Sequence, residues 1–275
     1  MTPFMDGALI KSPVVGGFLR LVHIAVRFRA LVIALVARDL KTRYKGSALG
    51  FLWSFINPLL MLGIYILVFS VYLRIEAENY PAFLISGLFP WICFSLSVQA
   101  GTNSVVEGRG YITQAVFPSE ALPIICVVSN LVNFALTLPI IIGALLLMGM
   151  PLGWPLLALP ALLINQFLLT LGIVLFLATY NVFFRDISYL VMNFINLLFF
   201  AMPIIYPPNF VPEKLRMLVD WNMAAVLISS YQDVLYHNRY PSWSKQGFIA
   251  LVGLLLIVGG NWVFQRNKEY FAEYL

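Results

Sequence analysis

The stretch RDLKTRYKGSALGFLWSFINPLL, residues 38–60, marks a sharp border between charged and apolar sequence. Its first eight residues contain four basic side chains and one acidic one, whereas the rest of the stretch carries no charge. A charge at the centre of a bilayer costs about 2.5–3.5 kcal/mol on insertion scales. Such a border therefore indicates the point at which the chain leaves water and enters a membrane.

The composition of the whole chain agrees with this interpretation. Of its 275 residues, 61% are hydrophobic and only 11% are charged, whereas ordinary soluble domains have about 25% charged residues. The sequence therefore predicts an all-α integral membrane protein that crosses the bilayer several times. The first 20 residues lack the pattern of a cleaved signal peptide, so we expect the first span to direct insertion.

Residues 20–45, which lead up to the border, show the pattern of an amphipathic helix. At about 100° per residue, six basic side chains fall within about 60° of one another, and apolar side chains cover the opposite side. We expect a helix that lies along the membrane surface. The alternative is a short buried helix or a first span at residues 30–37, but eight residues cannot cross ~30 Å of hydrocarbon. The basic residues are Arg20, His23, Arg27, Arg38, Lys41 and Lys45, and the apolar ones are Val22, Ala25, Val26, Val32, Ile33 and Val36.

Long uncharged runs predict six spans of about 20 residues each. The second run contains Pro81, Gly87 and Pro90, so part of it is expected to be loop or bent helix. A cluster of prolines and glycines at residues 149–160 divides a longer run into two spans. The predicted spans are 51–73, 79–106, 124–147, 156–176, 189–205 and 248–264.

Six spans place both termini on the same side of the membrane. Of the 17 Lys and Arg residues, 12 fall on that side and five on the other. Because positive charge gathers in the cytoplasm, both termini are expected there. The predicted organisation is a cytoplasmic N-terminus at 1–46, a six-span domain at 47–266 and a cytoplasmic tail at 267–275.

The sequence lacks the motifs of several function classes. It has no G-x-x-x-x-G-K-[ST] phosphate loop, so we expect no ATP binding by this chain. No Asp, Glu, Lys, Arg or His lies in a predicted span, which argues against proton-coupled carriers and intramembrane serine proteases. Cys93 and Cys126 lack C-x-x-C spacing and are expected to be packing residues rather than a disulfide or metal site. The net charge of +5 is explained by topology, without a nucleic-acid partner.

Four stretches together resemble the permeases of ABC exporters that move polysaccharides, such as the O-antigen, capsule and teichoic-acid permeases. They are the border at 38–60, VFPSEALP at 116–123, NVFFRDIS at 181–188 and PIIYPPNFVPEKLRML at 203–218. The resemblance implies a homodimer of this chain in the bacterial inner membrane, paired with two separate ATP-binding subunits that hold ATP and Mg. This chain itself would need no cofactor, and its substrate would be a lipid-linked polysaccharide.

The resemblance also implies that cytoplasmic segments face the ATP-binding subunits and transmit their closure to the spans. The basic residues before the border are also candidates for binding lipid phosphate, or serve only as a topology signal. The Arg185–Asp186 turn either shares the coupling role or only caps two helices. The candidate coupling residues are Arg27, Arg38, Asp39, Lys41, Arg43, Gly108, Arg109, Gly110, Tyr111, Phe117, Arg185 and Asp186.

Aromatic side chains are candidates for the substrate path, because sugar rings present C–H faces that stack on them without any charge. The candidate lining residues are Trp53, Tyr65, Phe69, Tyr72 and Phe194, and contact with lipid or packing is the alternative for each.

The segment of about 206–240 fits two short re-entrant external helices that close the outer mouth, with Tyr206, Pro207 and Pro208 as a candidate external gate. A permease for a drug or lipid-like small molecule, and a membrane assembly protein without transport activity, remain alternatives at this point.

Overall fold

The computed structural model describes residues 29–47, 49–72, 79–114 and 118–275. Every regular element in these ranges is helical. Four helical segments are long and apolar enough to cross a membrane, judged by length and composition: Tyr80–Tyr111, Ala121–Leu147, Trp154–Phe183 and Trp243–Tyr274. The predicted all-α membrane fold is therefore confirmed at this level.

We number the α-helices of the described ranges in chain order. They are α1 (Arg29–Tyr44), α2 (Trp53–Tyr65), α3 (Tyr80–Glu107), α4 (Arg109–Gln114), α5 (Ala121–Leu147), α6 (Leu159–Phe183), α7 (Asp186–Ala201), α8 (Glu213–Asp220), α9 (Met223–Leu235), α10 (Trp243–Asn267) and α11 (Phe271–Tyr274). A π-helix, Ile66–Tyr72, continues α2. Short 3-10 turns are Gly50–Leu52, Trp154–Ala158, Pro208–Phe210 and Lys268–Tyr270.

Each of the six predicted spans overlaps a helix, but two of these helices are short. The apolar stretch Ile56–Tyr72 at the first position and the helix Asp186–Ala201 at the fifth are shorter than the ~20 residues of a typical crossing helix. The fifth ends at Ala201 rather than at residue 205, and α6 continues to Phe183, seven residues beyond its predicted end. The described structure thus contains four long apolar helices, and the six-span count stays a prediction.

For the beginning of the second uncharged run, where the sequence left loop and bent helix as alternatives, the structure shows helix α3. The helix runs without a break from Tyr80, so no loop occupies the beginning of the second uncharged run. Pro81 lies in the first turn, where the missing N–H has no intrahelical partner in any case. Asn79 turns the chain into the helix in a left-handed conformation, and its Nδ2 donates to the carbonyl of Met148 at 3.1 Å.

Helix α3 lies at the centre of the molecule. In the most apolar stretch of this helix 83% of the residues are buried, against 39–56% in the corresponding stretches of the other three long helices. It packs against α5, α6, α7 and α9. Because protein surrounds most of α3, the helix has no single apolar face that the sequence could reveal.

Among the described helices, α6 and α10 have the most extensive contact, and they meet through glycines. A Cβ atom placed on Gly172 would lie 2.5 Å from Cβ of Leu256, and one placed on Gly253 would lie 2.9 Å from Cβ of Leu168. Lipid tails are as apolar as leucine, so membrane helices associate through close packing of small residues rather than through the hydrophobic effect. These glycines therefore set the distance between the two backbones.

Buried polar side chains hold α9 inside the bundle. The hydroxyl of Tyr231 donates to Oε1 of Gln166 at 2.7 Å. The side chain of Gln246 donates to Ser230 at 2.8 Å and accepts from Asn165 at 2.8 Å.

Two short helices were predicted in the segment of about 206–240, and two are present. The first, α8, is exposed, whereas α9 is an integral part of the core.

Candidate functional site

A cavity of about 740 Å³ lies between α2, α3 and α7, and α5 contributes one residue to its wall. Its volume is within the ~300–1,000 Å³ of typical ligand sites. None of the lining residues that the structure describes is charged. We call this cavity the aromatic groove. Its aromatic residues are Trp53, Tyr65, Trp91, Phe199 and Phe200, and its amide residues are Asn57, Gln99, Asn133 and Asn196.

Helix α2 lines the groove with every fourth residue, namely Trp53, Asn57, Met61 and Tyr65. Residues four apart lie on one face of an α-helix, so the spacing itself produces a continuous wall. The next residue in the series, Phe69, lines a second cavity of about 660 Å³. The α2 segment therefore contributes to both cavities.

The aromatic rings of the groove form a connected series. Ring centroids are 5.6 Å apart for Tyr65 and Phe199, 5.9 Å for Phe199 and Trp91, and 5.2 Å for Phe199 and Phe200. These distances are within the ~4.5–7 Å range of favourable aromatic pairs. The pairs hold rings from three helices in fixed positions, beside amide groups that can donate and accept hydrogen bonds. Such a wall suits a neutral ligand that has both apolar faces and hydroxyl groups.

The five aromatic candidates from the sequence separate into two groups. Trp53 and Tyr65 line the groove, and Phe69 lines the second cavity. Tyr72 and Phe194 line neither cavity and are 68% and 63% exposed. Sequence reasoning did not identify Trp91, Phe199 or Phe200. The four-residue spacing of the lining residues in α2 is a signal from which the sequence could have predicted that wall of the groove. In the uniformly apolar α3, no such pattern distinguishes Trp91.

The second cavity adjoins the end of α7 and the segment before α8. The hydroxyl of Tyr206 donates to the carbonyl of Phe200 at 3.0 Å, which ties this segment to α7. Pro207 is extended, and Pro208 begins a 3-10 turn. Of the three predicted gate residues, only Tyr206 lines this cavity. The two prolines act after the helix has ended, because α7 stops at Ala201.

Helix α1 packs on the beginning of α5 through an apolar face. Val36 is buried against Ala121 and Ile125, and Val32, Leu35 and Leu40 surround this contact. Ile33, assigned to the apolar face by its sequence position, is instead 66% exposed. The part of the predicted helix that precedes Arg29, including Arg27, lies outside the described residues.

A cleft of about 390 Å³ lies between α1, the last turns of α3 and the first turns of α5. Four predicted coupling residues line it: Arg38, Asp39, Gly108 and Tyr111. The guanidinium carbon of Arg38 lies 5.9 Å from the centre of the Tyr111 ring, a cation–π contact of about 0.5–1 kcal/mol at an exposed site. The structure thus brings together residues from the two segments that the sequence predicted to be cytoplasmic and to act together.

The remaining coupling candidates are less clustered. Lys41 is exposed on α1, and Arg109 and Gly110 are exposed at the start of α4. The side chain of Arg43 and all of Phe117 lie outside the described parts of the chain.

The Arg185–Asp186 turn joins α6 to α7 and is organised by Asn181. The Nδ2 of Asn181 donates to the carbonyl of Thr102 at 3.1 Å, while its Oδ1 accepts from the backbone N–H of Ser188 at 3.1 Å. Arg185 and Asp186 are themselves exposed. Asp186 lies in the first turn of α7, where a carboxylate interacts favourably with the helix dipole.

A buried acidic residue, which sequence reasoning did not identify, precedes α5. Glu120 is only 2% exposed, and Nζ of Lys268 lies 3.2 Å from its Oε1. Burial by itself would raise the pKa of the Glu120 carboxyl, but hydrogen bonds from its own backbone and from Gln265, together with Lys268, bring this pKa below its usual value. Glu120 is therefore ionised at neutral pH and joins α5 to the end of α10.

Comparison with known proteins is consistent with this architecture. Residues 30–236, which include both cavities and the cleft beside α1, match the family described as ABC-2 type transporter. The chain belongs to the ABC-2 type transporter family. Helices α10 and α11, with Lys268, lie beyond the matched range of this ABC-2 transporter chain.

Several relatives of this ABC-2 transporter chain are export permeases by name. The O-antigen export system permease protein RfbA of Myxococcus xanthus is 38% identical over 261 residues, which cover 93% of this chain and 99% of the relative. A permease of the same name from Klebsiella pneumoniae is 35% identical over 247 residues, covering 89% and 95%. The polysialic acid transport protein KpsM of Escherichia coli is 19% identical over 255 residues, covering 88% and 95%. The resemblance noted in the sequence is thereby confirmed.

Proposed function

We propose that this chain is the transmembrane permease subunit of an ABC exporter that moves a lipid-linked polysaccharide across the bacterial inner membrane. The observation that carries the proposal is the aromatic groove, whose wall combines five aromatic side chains with four amides and no charge. The names of the relatives support the same substrate class. Because the chain has no phosphate loop, ATP and Mg would be held by a separate subunit.

The chemistry of the groove suits a moving sugar chain. The C–H faces of sugar rings stack on aromatic faces, and their hydroxyls exchange hydrogen bonds with amides such as Asn57 and Asn196. Without charges, no single sugar is held strongly, so successive residues of the polymer can replace one another. A drug or lipid-like small molecule remains the second candidate, because the apolar part of the wall would also accept it.

We propose that the working unit contains two copies of this chain and two ATP-binding subunits. Trp53, Met61 and Phe200 line the groove, yet each is at least 40% exposed in a single chain. A second copy placed against α2 and α7 would cover these side chains and close the groove into a path.

We propose that α1 and the segment 108–117 receive the movement of the ATP-binding subunits. Contacts across the cleft between Arg38 and Tyr111 support this assignment, since they join the two segments. Arg27, Lys41, Arg43 and Phe117 belong to the same proposed surface, and Arg185 and Asp186 would extend it at the next turn.

The proposed function predicts the phenotype of a deletion. In the source bacterium, loss of this gene should remove the polymer from the cell surface, and lipid-linked polymer should accumulate in the cytoplasm. Immunoblots of surface and intracellular polysaccharide measure both. Complementation should restore export only when the partner subunit retains its catalytic Walker motifs. Unchanged surface polymer, together with altered sensitivity to small lipophilic drugs, would favour the second candidate instead.

The proposed topology has six spans, with α2 and its π-helical continuation as the first and α7 as the fifth. Both termini would be cytoplasmic and α8 external. In a variant whose Cys93 and Cys126 are replaced by alanine, Lys214→Cys should react with a membrane-impermeant maleimide in intact spheroplasts. Glu273→Cys should react only after permeabilisation. Labelling of Glu273→Cys in intact spheroplasts would refute a cytoplasmic C-terminus.

A further inference from the structure

The last residues of the chain fold back against the bundle instead of projecting away from it. Phe271 is completely buried, and its ring centroid lies 5.1 Å from that of Phe264 and 6.1 Å from that of Phe183. The ring of Tyr274 lies 4.9 Å from Phe183. The C-terminal segment, which we define as residues 268–275, is therefore packed against the last residue of α6.

The same segment also contacts a buried charge, the carboxylate of Glu120. Lys268 pairs with Glu120 at 3.2 Å, and Gln265 of α10 donates a second hydrogen bond to the same carboxylate oxygen. Removing two charges from water is costly, so a buried ion pair is weak evidence for stability. It does, however, hold two elements in one defined relative position, here the start of α5 and the end of α10.

A third contact places α11 next to α4. Cα atoms of the two helices approach within 8 Å of one another. The C-terminal segment thus touches α4, the residue that precedes α5, and the end of α6. These three places flank the surface that the proposed function assigns to the ATP-binding subunit.

We propose that the C-terminal segment is a mechanical clamp that transmits movement of the partner subunit from α4 to the tightly packed pair of α6 and α10. Lys268 and Phe271 are its positioning residues, and Glu120 is their anchor on α5. Without the clamp, α4 could tilt under load while the membrane helices stayed in place. The inference rests on the proposed function, since it requires an ATP-hydrolysing partner.

The clamp is tested with a variant that removes the ion pair without leaving a buried charge unpaired. In the double variant Glu120→Gln/Lys268→Met, the complex should assemble and hydrolyse ATP at more than half the wild-type rate. Polymer exported per ATP hydrolysed should fall about fivefold. Lys268→Arg should stay within twofold of wild type. So should Arg266→Met, which changes an exposed base two residues away.

Hydrogen–deuterium exchange of the permease alone, in nanodiscs, provides a readout that does not depend on the substrate. Amides of α4 should exchange several-fold faster in the double variant, while those of α7 stay unchanged. Wild-type coupling in the double variant, or a loss of export that only follows reduced protein abundance, would overturn the clamp. Unchanged exchange in α4 of the double variant would also overturn the clamp, whether or not the wild-type complex exports polysaccharide. A wild-type complex that exports no polysaccharide would count against the proposed function and not against the clamp.

Discussion

Replacing Trp53 and Phe200 together by alanine is expected to lower polysaccharide export about tenfold while the protein still folds. Both side chains line the aromatic groove, and both are sufficiently exposed, at 40% and 62%, that the core does not depend on them. Each aromatic contact contributes about 0.5–1.5 kcal/mol, so losing two weakens substrate contact by an amount that corresponds to roughly a factor of ten. The measurement is the initial rate of polymer appearance at the cell surface, normalised to permease abundance.

The chain itself offers a matched control for this prediction. Tyr72 and Phe194 are aromatic, lie in the same two helical segments and are 68% and 63% exposed, but they line neither cavity. Tyr72→Ala/Phe194→Ala should therefore export within twofold of wild type. An equal loss in both double variants would mean that lipid contact or assembly, rather than the groove, explains the need for aromatic side chains.

Gly172→Leu is expected to abolish the folded protein. Even the first atom of the new side chain would lie 2.5 Å from Cβ of Leu256 and 3.1 Å from the carbonyl oxygen of Gly253. Overpacking typically costs about 1–3 kcal/mol, and here rigid backbone rather than a flexible side chain stands in the way. The helices α6 and α10 would have to separate along their closest contact. Size-exclusion profiles and thermal unfolding of the detergent-solubilised protein measure the effect.

Gly143→Leu is the corresponding control, since a Cβ atom placed on Gly143 has no neighbour within 4 Å. It lies in the interior of α5, another long membrane helix, and the substitution should leave the unfolding temperature within a few degrees of wild type. If Gly172→Leu behaved like this control, α6 and α10 could not pack as closely as the structure describes.

Sequence alone indicates where the long helices of this protein lie along the chain, although α6, α7 and α10 begin or end several residues away from their predicted bounds. The uncharged runs, the charged Arg185–Asp186 turn and the glycine and proline cluster at residues 149–160 all act locally. They work through the cost of burying charge in lipid, and through the steric and hydrogen-bonding limits of proline. Pro81 did not indicate a loop at the start of α3, because it occupies a first-turn position that a helix tolerates.

Which residues meet was decided only by the tertiary structure. Trp91 and Phe199 are 108 positions apart in the chain, and their rings lie 5.9 Å apart. Glu120 and Lys268 are separated even further and form a partly buried ion pair. Helices buried on all sides show no apolar face, so their periodicity cannot indicate their neighbours. From residue types alone, the sequence predicted an uncharged path lined by aromatic side chains. Only helix packing selected Trp53 and Tyr65 for the groove over Tyr72 and Phe194, because that choice depends on which side of each helix the neighbouring helices cover.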